Sequence, residues 1–408
     1  MKVMVCLISE QHVPNLLSVH ELRPDLLVLI ETEGMRNRNA ANNFLKALAI
    51  GGLDYLTRNE VVPLKDGDSI EETEKALEGV YRKYRDAEWF VNITGGTKPM
   101  SIGAYEFFRQ RGNARILYIS ASKQSKAINF SGGTDIPLRH RISVAEFLAG
   151  YGFDVLNHDK MKENEKRSEK WLGLAAEIAA RSRNGAVLGF LANLSRISNE
   201  QRGRDRGLEI SEADGLFLGD DHLGEMIAAS FGLAYDDRHF TGALDKYAVR
   251  FLTGGWLEVF TWGLLRGLAN VRDNVWDVHL GLQIGVKNER LQNDLDVAFM
   301  IDQSLRIVEC KTGGQEHDRE GSDTLYKIEA IRKQLGALRV QSYLVTTSDN
   351  VIDSETGKIR EHLANRSRLY ECTIIDPQKI VELARMYLAG DAKLNAKLAQ
   401  VFQIGQAV

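Results

Sequence analysis

The sequence predicts an α/β protein in which two chemistry-bearing domains flank a helical connector. Three observations carry that expectation. Residues 1–150 alternate short, almost wholly apolar runs with helix-patterned stretches, as in a parallel sheet covered on both faces. Residues 151–242 lose that rhythm and become charge-dense and helical. Residues 243–408 return to it around two adjoining runs, 293–301 and 305–311, that read as a β-hairpin. A chain of 408 residues, 44% hydrophobic and 26% charged, has core enough for two or three soluble domains.

In the first domain, residues 2–8, 25–30, 88–93 and 115–120 are the expected strands, with helices over 39–53 and 69–84. The pattern is Rossmann-like. Its distinctive segment runs from the strand end at Asn92 through Thr94, Gly95, Gly96 and Thr97 into a helix opened by Lys98-Pro99, with Met100 just inside it. Glycines let the backbone approach a ligand, free amides at a helix start attract anions, and Lys98 adds a charge. Ligands bind such sheets at the carboxyl ends of the strands. Three more loops belong there: Ser9-Glu10-Gln11-His12, Thr32-Glu33-Gly34-Met35 and Ser120-Ala121-Ser122-Lys123. Strand one lacks the Gly-x-Gly-x-x-Gly turn, which argues against a dinucleotide, and no phosphate-loop GKS/T is present. The alternative is an ordinary helix-capping loop.

In the connector, the charge run 159–170 reads as a solvated helix face continuing to Ala180. Further helices are expected over 186–197 and 222–230, with a basic flexible loop, 202–207, between them. His222 and His239 read as surface or core residues and not as ligands.

The hairpin organises the last domain. Side chains alternate faces along a strand, so Asp294, Asp296, Ala298 and Met300 point one way, Glu309 and Lys311 likewise share a face, and Asp296, Glu309 and Lys311 all point the same way. With a two-residue turn, Asp296 lies opposite Glu309 or Lys311. Two carboxylates and an ammonium on an apolar hairpin are costly to bury unpaired. A divalent cation between the carboxylates removes that cost; the alternative is an edge-strand salt bridge. Glu309-Cys310-Lys311 is the one Glu-x-Lys in the chain, and the related Asp391-Ala392-Lys393 follows no acidic strand. Two features favour the cation. Glu258 lies inside the apolar helical run 256–265, and residues 324–335 form a basic amphipathic helix that could turn Lys327, Gln334 and Arg332 toward phosphate. A polar loop over 312–319, strands over 339–347 and 372–375, and helices over 380–388 and 392–402 complete the domain.

No apolar run reaches membrane-spanning length, the first strand is too short for a signal peptide, and three scattered cysteines lack zinc spacing. These point to a reducing cytoplasm and no membrane. The net charge of −4 argues against a protein that coats nucleic acid.

The strand–Thr-Gly-Gly-Thr-Lys–helix segment, with Ser9-Glu10 after the first strand, resembles a CARF domain. A helix with one glutamate, an aspartate-bearing strand, Glu-x-Lys and a basic helix resemble the restriction-endonuclease-like PD-(D/E)XK core. Joined by a small helical or winged-helix-like connector, they resemble the CARF–PD-(D/E)XK ancillary nucleases of type III CRISPR systems. That resemblance implies a homodimer whose CARF domains (1–150) bind a cyclic oligoadenylate, usually cyclic tetra-adenylate, as allosteric activator. It implies a nuclease domain (243–408) using Mn²⁺ or Mg²⁺ on single-stranded DNA or RNA, or on plasmid DNA. Thr94, Gly95, Gly96, Thr97, Lys98 and Met100 would contact the effector, with Ser9, Glu10 and Gln11 on the opposite loop. Asp296 and Glu309 would hold metal, with the Cys310 carbonyl as a further ligand. Lys311 would stabilise the attacked phosphate, and Glu258 would be an extra carboxylate. The family strand often begins Asn-Glu-x-Asp, so Asp294 departs from it and its role stays open. A cyclic ligand of equivalent nucleotides would sit on a twofold axis. The rivals are a nucleotide-sensing transcription regulator with an inactive nuclease-like domain, and a restriction enzyme whose first domain binds DNA.

Overall fold

The computed structural model describes residues 1–120, 123–286, 292–313 and 322–405. The N-terminal sheet has seven strands: β1 (Lys2–Leu7), β2 (Leu26–Thr32), β3 (Asn59–Leu64), β4 (Glu88–Asn92), β5 (Ala114–Ser120), β6 (Lys123–Asn129) and β7 (Ile136–Pro137). Their order is β3-β2-β1-β4-β5-β6-β7. The first five are parallel, and the last two turn antiparallel. On β1, Val3, Val5 and Leu7 enter one core, while Met4 and Cys6 enter the other. Both faces are covered, which is why these strands read as unbroken apolar runs. β3 was missed from sequence because it carries Asn59, Glu60 and Pro63; as the edge strand it tolerates both polarity and a missing N–H.

Of the stretch expected to be a connector, β8 (Asp154–Val155) pairs with the C-terminal sheet, and the helix His158–Ala180 packs across the helix Trp256–Ala269. The helices Gly185–Gln201 and Asp221–Phe231 accompany a three-stranded antiparallel sheet of β9 (Leu208–Ile210), β10 (Ala234–Asp236) and β11 (His239–Leu244), ordered β10-β11-β9. Their apolar residues, Phe190, Leu208, Ile227 and Phe240, join the cluster that contains Trp256 and Phe260.

The C-terminal sheet adds β12 (Val275–Gly285), β13 (Gln292–Ile301), β14 (Ser304–Lys311), β15 (Val340–Thr346) and β16 (Cys372–Ile375), in the order β16-β15-β14-β13-β12-β8. β12 to β14 are antiparallel; β14 to β16 are parallel. The expected hairpin is β13–β14. Ile301 pairs with Ser304, so the turn is Asp302-Gln303, both at positive φ (46° and 61°), the mirror-image geometry that matches strand twist. Gln303 clasps the preceding domain: its Oε1 accepts from the Ile142 amide at 3.1 Å and its Nε2 donates to the His140 carbonyl at 2.6 Å.

The two sides of the hairpin meet different partners. Val297, Phe299, Val308 and Cys310 face the cluster of Trp256 and Phe260. Ala298, Met300, Leu305 and Ile307 belong to a cluster running unbroken from Met4 and Cys6 through Phe147 to Ile331. The N-terminal and nuclease sheets thus share one apolar core. At that junction His12 lies edge-on to Tyr151, ring centroids 4.4 Å apart. Burial pushes its imidazole down to about pKa 4, which keeps it neutral. The Tyr151 ring in turn fills the space beside Gly336, where a Cβ would lie 2.3 Å from it. Gly336 follows the helix Ser322–Gln334. Cys6, Cys310 and Cys372 are buried and free, and among the described residues no helix is long and apolar enough to cross a membrane.

Candidate functional site

The hairpin register, carried on from Val297 opposite Val308, sets Asp296 across from Glu309. The Cys310 amide donates to Asp296 Oδ2 at 2.7 Å, so the carboxylate itself breaks the ladder there. Glu309 is 4% exposed. Its Oε1 receives two ammoniums, Lys311 Nζ at 2.7 Å and Lys327 Nζ at 3.0 Å, the second from the helix Ser322–Gln334.

Glu258 arrives from the opposite side, in the first turn of the helix Trp256–Ala269. An irregular turn, Phe251–Gly255, precedes that helix; Thr253 and Gly254 leave helical geometry, and Gly254 has φ 147°. A conformation that only glycine adopts readily starts the helix where Glu258 reaches the hairpin acids. Burial, and then the Asp296 charge, raise the Glu258 carboxyl well above the carboxylate range, with Lys311 opposing. Asp296 is raised by burial and then by Glu309, opposed by the Cys310 amide and Lys311. Lys311 resists burial through Glu309 and stays charged. Ionised together, the three carboxylates would carry more negative charge than Lys311 and Lys327 neutralise, which is why Glu258 and Asp296 are pushed up. A hard divalent cation fits such an all-oxygen donor set.

Glu258, Lys311 and Thr312 line a cleft of about 760 Å³ whose walls also come from the helix His158–Ala180, the short helix Lys246–Arg250 and the irregular turn. Arg204 is pinned there, Nε donating to Thr253 Oγ1 at 2.9 Å and Nη2 to the Thr253 carbonyl at 2.7 Å.

Sequence reasoning thus named Asp296, Glu309, Lys311 and Glu258, and the fold brings all four together. Lys327, one of three phosphate-facing candidates, contacts Glu309 instead. Arg332 is turned inward, buried and bonded to Glu329 and Glu371 at 2.8 and 2.6 Å, so it does not face phosphate. Asp294 is exposed, paired in register with Gln283 on β12 and apart from the cluster. The Cys310 side chain points to the other face, toward Thr261 Oγ1 at 3.8 Å, leaving the main chain as its part in the site. The loop expected over 312–319 lies mostly outside the described residues. Lys160, Arg167, Lys246 and Tyr247 of the cleft were missed. A charge run on a helix shows no preferred side until tertiary packing picks one.

In the N-terminal domain the loops after β1, β2 and β4 converge. Gly95 abuts the end of β1, where a Cβ would fall 2.3 Å from the Leu7 carbonyl oxygen. Gly96 has φ 74°. Thr97 caps the helix Lys98–Arg109, accepting from the Met100 amide at 3.3 Å, and donates to the Gly67 carbonyl of the loop after β3. Thr94 donates to Asn92 Oδ1 at 2.6 Å and accepts from the Ile119 amide at 2.8 Å. Both threonine hydroxyls therefore hold the loop in place. Ser9 hydrogen-bonds Gln11, and the exposed Glu10 pairs with Arg38, a residue sequence reasoning did not single out. Lys98 is exposed beside them. Met100 corrects an expectation: it is fully buried under Gly96, so it supports the loop and does not face a ligand. The loop 120–123 lies partly outside the described residues.

Residues 3–147 match the family model of the Card1 CARF domain, and residues 245–370 match that of the Card1-like endonuclease domain. The chain belongs to the Card1-like nucleases, with a CARF domain followed by an endonuclease domain. Its fold is similar to protein VC1899 from Vibrio cholerae, at 19% identity and TM-score 0.76 over 97% of this chain and 98% of that one. It is likewise similar to Can2 from Sulfobacillus thermosulfidooxidans, solved with cyclic tetra-adenylate, at 19% identity and TM-score 0.70 over 98% and 99%. A type III CRISPR defence DNA nuclease activated by cyclic oligoadenylate shares the fold at 18% identity and TM-score 0.53, over 90% of this chain and 51% of that one. No curated protein sequence matches the chain.

Proposed function

We propose that this protein is a divalent-metal-dependent nuclease of DNA, RNA or both. Its activator is a cyclic oligoadenylate, with cyclic tetra-adenylate the expected ring, bound where two N-terminal domains of a homodimer meet. The observation that carries the reading is the Asp296–Glu309–Glu258 carboxylate cluster, with Lys311 against it, next to a cleft lined by cations that Glu258 and Lys311 themselves border. The solved relatives, one holding cyclic tetra-adenylate and one described as activated by cyclic oligoadenylate, support the effector assignment.

Asp296 and Glu309 would hold Mn²⁺ or Mg²⁺, with the Cys310 carbonyl as a further donor and Glu258 at its flank. When bound, the cation supplies Lewis acidity at the scissile phosphodiester. Lys311, kept charged by Glu309, is placed to stabilise charge growing on the phosphate. The Lys327 ammonium holds the Glu309 carboxylate that would help hold the cation, so the position of the helix Ser322–Gln334 would bear on metal binding. In the N-terminal mouth, Gly95 and Gly96 bring backbone amides close to the ring's phosphates, with Lys98 adding charge. Ser9, Glu10 and Gln11 form the facing wall.

The test is cleavage of single-stranded DNA, RNA and supercoiled plasmid, each with Mn²⁺ or Mg²⁺ and with or without cyclic tetra-adenylate. Cleavage that needs both metal and ring is expected, and Glu309→Ala should remove it. Undiminished stimulated cleavage by Glu309→Ala would refute the metal assignment; cleavage indifferent to every cyclic oligoadenylate would refute the activator.

A further inference from the structure

Lys311 lines the cleft together with residues of the helix His158–Ala180 and the short helix Lys246–Arg250. Six basic side chains line that cleft (Lys160, Arg167, Arg204, Lys246, Arg250 and Lys311) against two acidic ones, Glu163 and Glu258. Its sign is therefore positive, although the whole chain carries −4. Partnering sharpens the contrast. Nearby cations are neutralised: Arg266 by Glu169, Arg181 by Glu177 and Asp220, Arg250 by Asp205. Among the described residues, Lys160, Arg167 and Lys246 have no carboxylate within ion-pair distance. Uncompensated cations gathered in one concavity focus the field on an anion of matching length.

Three aromatics line the cleft; Trp171 and Phe251 pack against each other and the apolar cluster, and Tyr247 stands among the cations. Tyr247 is 36% exposed, and the Arg167 guanidinium lies 3.6 Å from its ring centroid. Its position is fixed: Asp245 caps the short helix, accepting from the Tyr247 amide at 2.9 Å and the Ala248 amide at 2.7 Å. A ring paired with a planar guanidinium, flanked by free ammoniums, suits a polyanion that also carries flat bases.

We propose that Lys160, Arg167, Lys246 and Tyr247 form the track that positions the substrate strand for the carboxylates, its phosphates against the three cations and an unpaired base against the Tyr247–Arg167 stack. This rests on the nuclease reading and adds to it the residues that hold the strand. They are positioning residues, since none touches the carboxylates.

The experiment uses the full-length protein with cyclic tetra-adenylate, Mn²⁺ and a fluorescein-labelled single-stranded DNA oligonucleotide. Turnover is measured as kcat and KM, and binding is followed across a salt series. Tyr247→Ala should raise KM about tenfold with kcat little changed, while Tyr247→Phe keeps wild-type values. The double variant Lys160→Gln/Lys246→Gln should raise KM and flatten log K against log salt by about 1.4, roughly 0.7 for each lost phosphate contact. Melting temperature and effector binding serve as folding controls. If the wild type cleaves but the variants keep its KM and salt slope, the track is wrong and the nuclease reading survives. If the variants lose kcat alone, the residues act on chemistry and the track is equally wrong. If the wild type cleaves no nucleic acid under any condition, the nuclease reading is what has failed.

Discussion

The two ends of the molecule treat polar groups in opposite ways. In the N-terminal mouth the loop-holding side chains are already committed, Thr94 to Asn92 and the Ile119 amide, Thr97 to Gly67 and the Met100 amide, Glu10 to Arg38, while Gln11 Oε1 is left without a partner. In the cleft the commitments fall short, with three carboxylates facing too little positive charge and three cations lacking acids. A mouth whose loops are pre-set recognises a rigid ligand by shape and amide direction at little ordering cost. A cleft left electrically unfinished would, on the proposed reading, draw in the partners that complete it, a metal and a phosphate chain.

That contrast can be broken from either side. Exchanging Asp296 for Asn or Glu309 for Gln should depress cleavage by at least about a hundredfold. Thermal stabilisation by cyclic tetra-adenylate should persist in both variants. Loss of that stabilisation would mean the two ends are not separable. At the mouth, Gly95→Ala drives a methyl into the Leu7 carbonyl, 2.3 Å away. The strain, about 1–3 kcal/mol, should weaken effector binding about tenfold, read by titration calorimetry, while metal binding at the hairpin is retained.

Between the ends, Tyr151 touches both His12, next to the mouth loop, and Gly336, after the helix that carries Lys327. Tyr151→Ala should cut effector stimulation about five- to tenfold with effector affinity nearly intact. An unchanged stimulation ratio would remove this contact from the coupling.

The smallest effect concerns pH. His279 is opposed by burial, but its hydrogen bonds to Asp277 and Glu165 prevail and raise it to about 9. Its folded pKa lies above the unfolded value near 6.5, so its contribution is complete below about pH 6.5 and fades as pH rises through about 9. The protein should lose about 1–2 kcal/mol over that window after allowance for partial solvent screening. In melting curves, His279→Gln should flatten the loss.

Local pattern made the acidic hairpin legible: a period of two placed Asp296, Glu309 and Lys311, and an intervening polar stretch located the turn. The glycine pair and the helix start at Lys98-Pro99 marked the mouth in the same way. Other features depend on tertiary choices. Met100 looked like part of the loop until the packing of Gly96 buried it. Arg332 and Lys327 lie five residues apart on one helix, yet one turns to Glu329 and the other to Glu309. Lys160 and Lys246 lie far apart in the chain and meet only because the helix His158–Ala180 crosses the nuclease layer. The edge strand β3 escaped because edge positions relax the composition that identifies central strands.

The apolar cluster that passes from Met4 and Cys6 to Met300 and Ile331 has a thermodynamic corollary. Severing the chain near residue 150 would lay bare the greasy underside of both halves, so neither fragment is expected to stay monomeric and native. Calorimetry should therefore register a single endotherm for sensor and blade together.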